Sequence, residues 1–322
     1  MVIPVILGVS VVTFFVIELP EGNILTTEIA VMESQGMEVT PEQVQAMEQQ
    51  YGLDRPTVER YWLWISGILF EGDFGRSFEW SKPVGEILAE RVPLTVLVSL
   101  LTTILIYLLA IPIGIYSAVR KYSVFDYLFT LVGFLGISVP PFLLALVLMW
   151  LMYSVFGVNM SGLFSQDMVD APWGPAKVLD LMTRIWFPVL IIGMTGTAGL
   201  IRVMRGNLLD ELQKNYVITA RAKGMRERRL LFRYPVRIAV NPVISTIGWI
   251  LPGVVGGEVL VSIVLNLQTT GPVLLQAVRA QDMYLAASIT LILSVLTVVG
   301  TLVSDLLLAW FDPRIRFGRA AR

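Results

Sequence analysis

Apolar residues in this chain fall into long uncharged runs, separated by one basic island and one long mixed segment. A membrane-crossing helix needs roughly 20 mostly apolar residues, because each rises about 1.5 Å across a hydrocarbon core about 30 Å thick. Six runs meet or approach that length: 1–17, 92–119, 127–158, 185–201, 243–265 with Glu258 inside, and 285–311 with Asp305 inside. The runs are too long and too unalternating for barrel strands, so they predict helices, which satisfy their own backbone in lipid. Ser138, Pro140 and Pro141 interrupt the third run and predict a bend there, since proline removes a backbone donor and clashes with the preceding turn. The expected fold is therefore all-α and membrane-embedded, with about six spans.

Two polar segments carry the remaining pattern. Between Arg202 and Arg237 stand ten Lys or Arg against Asp210, Glu211 and Glu227. Asn207 to Ala222 reads as a helix whose apolar side is Leu208, Leu209, Leu212, Tyr216, Val217 and Ala220. Gly224 ends it, as glycine does where a left-handed or close-approach backbone is needed. A short helix, Arg226 to Arg233, follows before Pro235. The other segment, 20–91, predicts a polar helix from Pro41 to about Gly52 and a second helix beginning at Pro56. On that second helix Tyr61, Trp62, Ile65, Ile68 and Leu69 are read as one face, which either lies at the membrane interface or packs on neighbouring spans. The chain thus divides into a first span (1–19), an extracytoplasmic segment (20–91) and a core domain (92–322) that contains the loop 205–242.

Composition narrows the chemistry. Charged residues make up 15% of the 322 positions and hydrophobic ones 55%, against about 25% charged in soluble domains. Cysteine and histidine are absent, which removes thiolate nucleophiles, imidazole bases and the common zinc ligand sets. No catalytic residue, metal site or cofactor site is expected. Lys and Arg near span ends mark the cytoplasmic side. Placing the loops after spans two and four and the tail on one side collects sixteen of the 24 basic residues, and the other side holds eight over far more polar length. Both termini and the island are then cytoplasmic. Residues 1–20 lack the basic start and small-residue cleavage site of a signal peptide, so they read as a retained span.

Several readings compete for the island. Positive-inside bias explains its charge but not the Ala220-x-Ala222-x-Gly224 corner. Anionic lipid is a natural partner of any basic juxtamembrane segment. Nucleic acid is the weakest choice, because aromatics are few and the membrane holds both ends. A docking site for a cytoplasmic protein accounts for charge, helix and corner together.

Tyr216-Val217-x-x-Ala220-Arg221-Ala222-Lys223-Gly224-Met225 closely resembles the cytoplasmic coupling loop of permease subunits in ATP-binding cassette importers, specifically the first, B-type permease of the dipeptide/oligopeptide family. The resemblance runs over nearly the whole chain: Tyr51-Gly52-Leu53-Asp54-Arg55-Pro56, Gly72-Asp73-Phe74-Gly75-x-Ser77, Pro83-Val84, Arg91-x-Pro93-x-Thr95, Ser138-x-Pro140-x-Phe142 and Asp312-Pro313-Arg314-Ile315-Arg316 follow the family's order. Tyr234, Ile238 and Gln268-Thr269-Thr270-Gly271 depart from its pattern. The resemblance implies a multi-pass subunit of a prokaryotic plasma membrane, partnered by the bilayer, a second homologous permease, two nucleotide-binding ATPase subunits and an extracytoplasmic solute-binding protein. ATP and magnesium would sit on the ATPases, since no G-x-x-x-x-G-K-[ST] loop occurs here. It further implies coupling to ATPase through Tyr216, Ala220, Arg221, Ala222, Lys223, Gly224 and Met225. Ser138, Pro140, Gly257 and Glu258 are candidates for the translocation path. Peptides are the first substrate choice and oligosaccharides the second. An ion-coupled carrier is the alternative from another class, and it should show several membrane-depth acids or an inverted repeat.

Overall fold

The computed structural model describes residues 2–19, 24–35, 39–51, 54–247, 250 and 259–311. Those residues form α1 (Val2–Glu18), α2 (Ile24–Ser34), α3 (Pro41–Tyr51), α4 (Thr57–Ser66), α5 (Val84–Val119), α6 (Val124–Ser138), α7 (Pro141–Phe156), α8 (Pro175–Arg184), α9 (Trp186–Leu212), α10 (Asn215–Ala222), α11 (Glu227–Arg233), α12 (Pro235–Ser245), α13 (Thr270–Arg279) and α14 (Met283–Phe311). Residues 259–264 are also helical. Among the described residues the sole strand-like pairing is an isolated bridge between Arg76 and Pro83.

Three stretches among the described residues are long and apolar enough to cross a membrane: Val84–Val119, Pro175–Leu212 and Met283–Leu307. Helices α6 and α7 make a fourth if counted as one span, but they meet at 107°. The bend expected at Ser138–Pro141 is thus a full break. Pro140 turns the chain at φ -55°, ψ 135°, and Pro141 opens α7, where a missing N–H costs nothing because first-turn donors have no helical partner anyway. Helix α1 is apolar but has 17 residues, about 25 Å at about 1.5 Å per residue. The middle of the fifth predicted run, including Gly257 and Glu258, lies outside the described residues.

Two compact units divide the chain: residues Met1–Thr95 with Thr269–Leu296, and Val96–Gln268 with Thr297–Arg322. In the first, Phe14 of α1, Tyr61, Trp64 and Ile65 of α4, and Ala287 and Leu291 of α14 bury one another. Phe14 stands 5.5 Å from the Tyr61 ring and 5.4 Å from Trp64. Polar tips in this apolar cluster are paired, as burial demands: Ser10 with the Tyr61 hydroxyl at 2.9 Å, and Trp64 Nε1 donating to Ser288 at 3.3 Å. Arg60 and Glu18 pair at 2.5 Å. Of the two placements open for the helix after Pro56, packing on neighbouring helices is the one observed. The face differs from the expected one, since Trp62 and Leu69 are 64% and 63% exposed. Positions 61, 64, 65 and 68 share a helical stripe, whereas Trp62 lies a quarter-turn away and Leu69 falls in the π-helical turn Gly67–Glu71, which resets the register.

In the second unit α9 packs against α6, α7, α8 and α12. Its approach to α5 depends on missing side chains: a Cβ added at Gly114 would lie 2.7 Å from Met204 Cβ, and one at Gly196 would lie 2.7 Å from Ile106 Cδ1. Small residues let helix backbones approach in membranes, where packing rather than hydrophobic exclusion holds helices together. One strong polar tie adds to this. Arg205 of α9 grips Asp126 of α6 through Nε at 3.1 Å and Nη2 at 3.0 Å, while the Tyr122 N–H donates to the same carboxylate at 2.9 Å.

Candidate functional site

The seven coupling-loop candidates come together in α10 and its C-terminal cap. Residues Asn207–Ala222 do not form the single helix expected. Helix α9 carries on through Leu212, the chain turns at Gln213 and extended Lys214, and α10 begins at Asn215. Without Gly or Pro at that point the break leaves no local sequence mark. It is stabilised by turn bonds from Gln213 N–H to Asp210 and from Lys214 N–H to Glu211, at 3.4 and 3.2 Å.

Gly224 ends α10 for a definable reason. It has φ +75°, and nothing lies within 4 Å of a Cβ built on it. Conformation, not crowding, therefore requires glycine. The Met225 N–H reaches Ala220 O at 3.3 Å and the Gly224 N–H reaches Arg221 O at 3.0 Å, the paired 6→1 and 5→2 bonds of a Schellman cap. The chain then reverses into α11. Across the reversal Arg221 clasps Glu227 through Nε and Nη2, at 2.5 and 3.2 Å. That ion pair holds the Glu227 carboxyl below its usual range and raises Arg221; being exposed, it shapes the corner more than it stabilises the fold.

Buried anchors hold the corner down. Val217 of α10 and Leu230 of α11 are fully buried, and Val236, Ala239 and Val243 anchor α12. The Tyr216 hydroxyl donates to Glu211, and its ring lies 6.5 Å from Tyr234. Burial, reinforced by the Glu211 carboxylate, pushes the Tyr216 phenol well above its ordinary range. On the outside Arg221, Ala222, Lys223, Gly224 and Arg226 are exposed. So are two large apolar side chains, Ile218 at 53% and Phe232 at 52%. The site is a rigid, basic corner with small residues at its tip and two apolar contacts beside it.

The other candidates are not gathered here. Ser138 ends α6 and Pro140 caps α7, both exposed at the break, and Gly257 and Glu258 lie outside the described residues. Asp305 is exposed and has no ion-pair partner among the described residues. Sequence reasoning missed Ile218 and Phe232, since each stands off the apolar stripe, and it missed Asp282. That carboxylate is fully buried. It accepts from Ser77 Oγ at 2.5 Å, from the N–H groups of Phe78 and Glu79 at 2.9 and 3.2 Å, and from Leu285 N–H at 3.3 Å. Burial nevertheless pushes its pKa up, and the four donors pull back only part of the way. Asp282 fastens residues 77–79 to the start of α14. Its one legible mark was a lone acid before an apolar helix, the pattern of an N-cap.

Comparison with known proteins decides the family. A model of the N-terminal part of binding-protein-dependent transport system membrane components matches residues 1–100. A model described as binding-protein-dependent transport system inner membrane component matches residues 110–317. The chain belongs to this family. As an inner-membrane permease component of such a system it is similar to the oligopeptide transport system permease protein AppB of Bacillus subtilis, 34% identical over 318 residues that cover 98% of this chain and 97% of that protein. It is also similar to the dipeptide transport system permease protein DppB of Lactococcus lactis, 29% identical over 282 residues, 86% and 87% of the two chains. The resemblance read from the coupling-loop residues is thereby borne out across the whole permease.

Proposed function

We propose that this permease component forms half of the translocation path of an ATP-driven peptide importer. It would cross the membrane about six times, with both termini and the loop 205–242 in the cytoplasm and residues 20–91 outside. A second homologous permease would complete the path, a solute-binding protein would deliver the cargo, and two separate ATPase subunits would grip the α10–α11 corner. The observation that carries this reading is the corner itself: a glycine-capped helix tip, locked by Arg221–Glu227 and flanked by exposed Ile218 and Phe232. Water-facing apolar side chains on a rigid basic projection fit a protein partner, because burying them recovers roughly 25 cal/mol per Å². Closure of the ATPases on ATP would move the corner and, through α9 and α12, the spans. The names of the relatives support peptides as cargo.

The test is co-purification joined to uptake. The tagged chain, gently solubilised, is expected to bring down an ATPase pair, and cells are expected to accumulate labelled di- and oligopeptides in competition with unlabelled ones. Ile218→Asp with Phe232→Asp should abolish ATPase recovery while leaving membrane insertion intact. Full ATPase recovery by that double variant would remove the corner from the mechanism, and uptake blocked by oligosaccharides but not by peptides would reassign the cargo.

A further inference from the structure

A groove of about 400 Å³ opens in the second unit between α5, α6 and α9. Leu105 and Ile113, Leu128 and Phe129, and Met194 and Ile201 are among the residues that line it, and its walls are almost wholly apolar. The volume falls in the range of sites that enclose small ligands, about 300–1,000 Å³. All three helices are apolar stretches of an inner-membrane component, so lipid is at hand as an occupant of the groove.

A second observation says what kind of lipid. Arg202 directly follows Ile201 and is exposed, and its guanidinium lies 5.2 Å from the centre of the Phe134 ring, next to Gly133 of the groove wall. Among the described residues no carboxylate pairs with Arg202, whereas Arg205, one turn on, is satisfied by Asp126. Arg120 and Lys121, in the turn joining α5 to α6, are likewise exposed and have no carboxylate partner among the described residues. An arginine on a spanning helix is costly unless it meets an anion or reaches the headgroup layer, and one cation near a membrane surface is worth about 1 kcal/mol toward anionic lipid. We infer that the groove holds an acyl chain of an anionic phospholipid whose phosphate is met by Arg202, in the leaflet that adjoins the basic island. This needs only membrane residence of the chain and does not rest on the coupling role of the α10–α11 corner. A second permease chain is the competing occupant. Exposed cations without carboxylate partners beside an apolar slot match a phosphate next to a hydrocarbon tail better than they match an apolar helix.

The experiment uses the full chain with its co-purifying partners, placed in phosphatidylcholine nanodiscs that contain a minor fraction of phosphatidylglycerol, and measures tightly bound lipid by native mass spectrometry. Bound lipid is expected to be enriched in phosphatidylglycerol over the bulk, and inorganic phosphate in solution should not displace it. Arg202→Gln should lower the enrichment about fivefold, as expected for one cation removed, while Arg202→Lys keeps most of it. Leu128→Trp, which fills the groove from an exposed position, should reduce bound lipid of both headgroups. Bound lipid that mirrors the bulk composition, or an Arg202→Gln protein with undiminished enrichment, overturns the proposal. A photo-crosslinker at position 128 that attaches to a protein chain instead of lipid overturns it as well.

Discussion

Gly224 separates two effects that are usually mixed. Its surroundings are open, so the cost of a side chain comes from φ +75° alone, about 1–2 kcal/mol for most L-residues and less for Asn or Asp. Gly224→Val is therefore expected to loosen the corner and lower ATP-driven uptake about 5–30-fold, while Gly224→Asn stays close to wild type. Equal losses in the two, read as initial uptake rate at matched expression, would mean that the tip needs a bare surface and not a left-handed turn. Asp282 gives a prediction in pH. Because burial raises its folded pKa, its contribution to stability is complete below the ordinary carboxylate range and fades as pH rises through the raised value. The melting temperature of the solubilised protein should fall across that window. Asp282→Asn should remove the dependence and cost about 1–3 kcal/mol, since the amide places N–H groups against donors. An unchanged pH profile in the variant would show that another group titrates.

At the scale of elements, the Asp126–Arg205 tie fixes α6 to α9 two turns before α9 leads into the corner. The pair is bidentate and Asp126 is nearly fully buried, so Asp126→Asn is expected to cost about 1.5–3 kcal/mol. Replacing both partners, Asp126→Asn with Arg205→Gln, should cost less than the sum of the single changes, because neither then strands a charge. Thermal unfolding of the four proteins checks this, and strict additivity would show that the pair carries no coupling. Existence and kind were legible for the long elements: the runs at 92–119 and 285–311 lie within α5 and α14, and the run at 185–201 lies within α9 but for Ile185, its N-cap. Ends were less legible. Helix α5 begins at Val84, ahead of Glu86, Glu90 and Arg91, because charged residues at a span end can remain helical in water. The α9–α10 break was invisible for a related reason, since turn hydrogen bonds, not Gly or Pro, make it.

For the whole molecule, charge gives the remaining prediction. The corner presents Arg221, Lys223, Arg226, Arg228 and Arg229 on its exposed side, so ATPase association should weaken as salt shortens the Debye length from about 10 Å at 0.1 M to about 3 Å at 1 M. Pull-down yield unaffected by salt would assign the contact to Ile218 and Phe232 alone. The sequence by itself determined that the protein lives in a membrane, that its helices carry it there, and that residues 216–225 form a glycine-ended corner, because hydropathy, span length and left-handed caps are local properties. Only tertiary structure decided which side of α4 is buried, that Asp282 fastens the 77–79 loop to α14, and that Arg221 spends its charge on Glu227. Those outcomes depend on groups brought together from distant positions, or across a chain reversal, whose desolvation and hydrogen bonding no local pattern records.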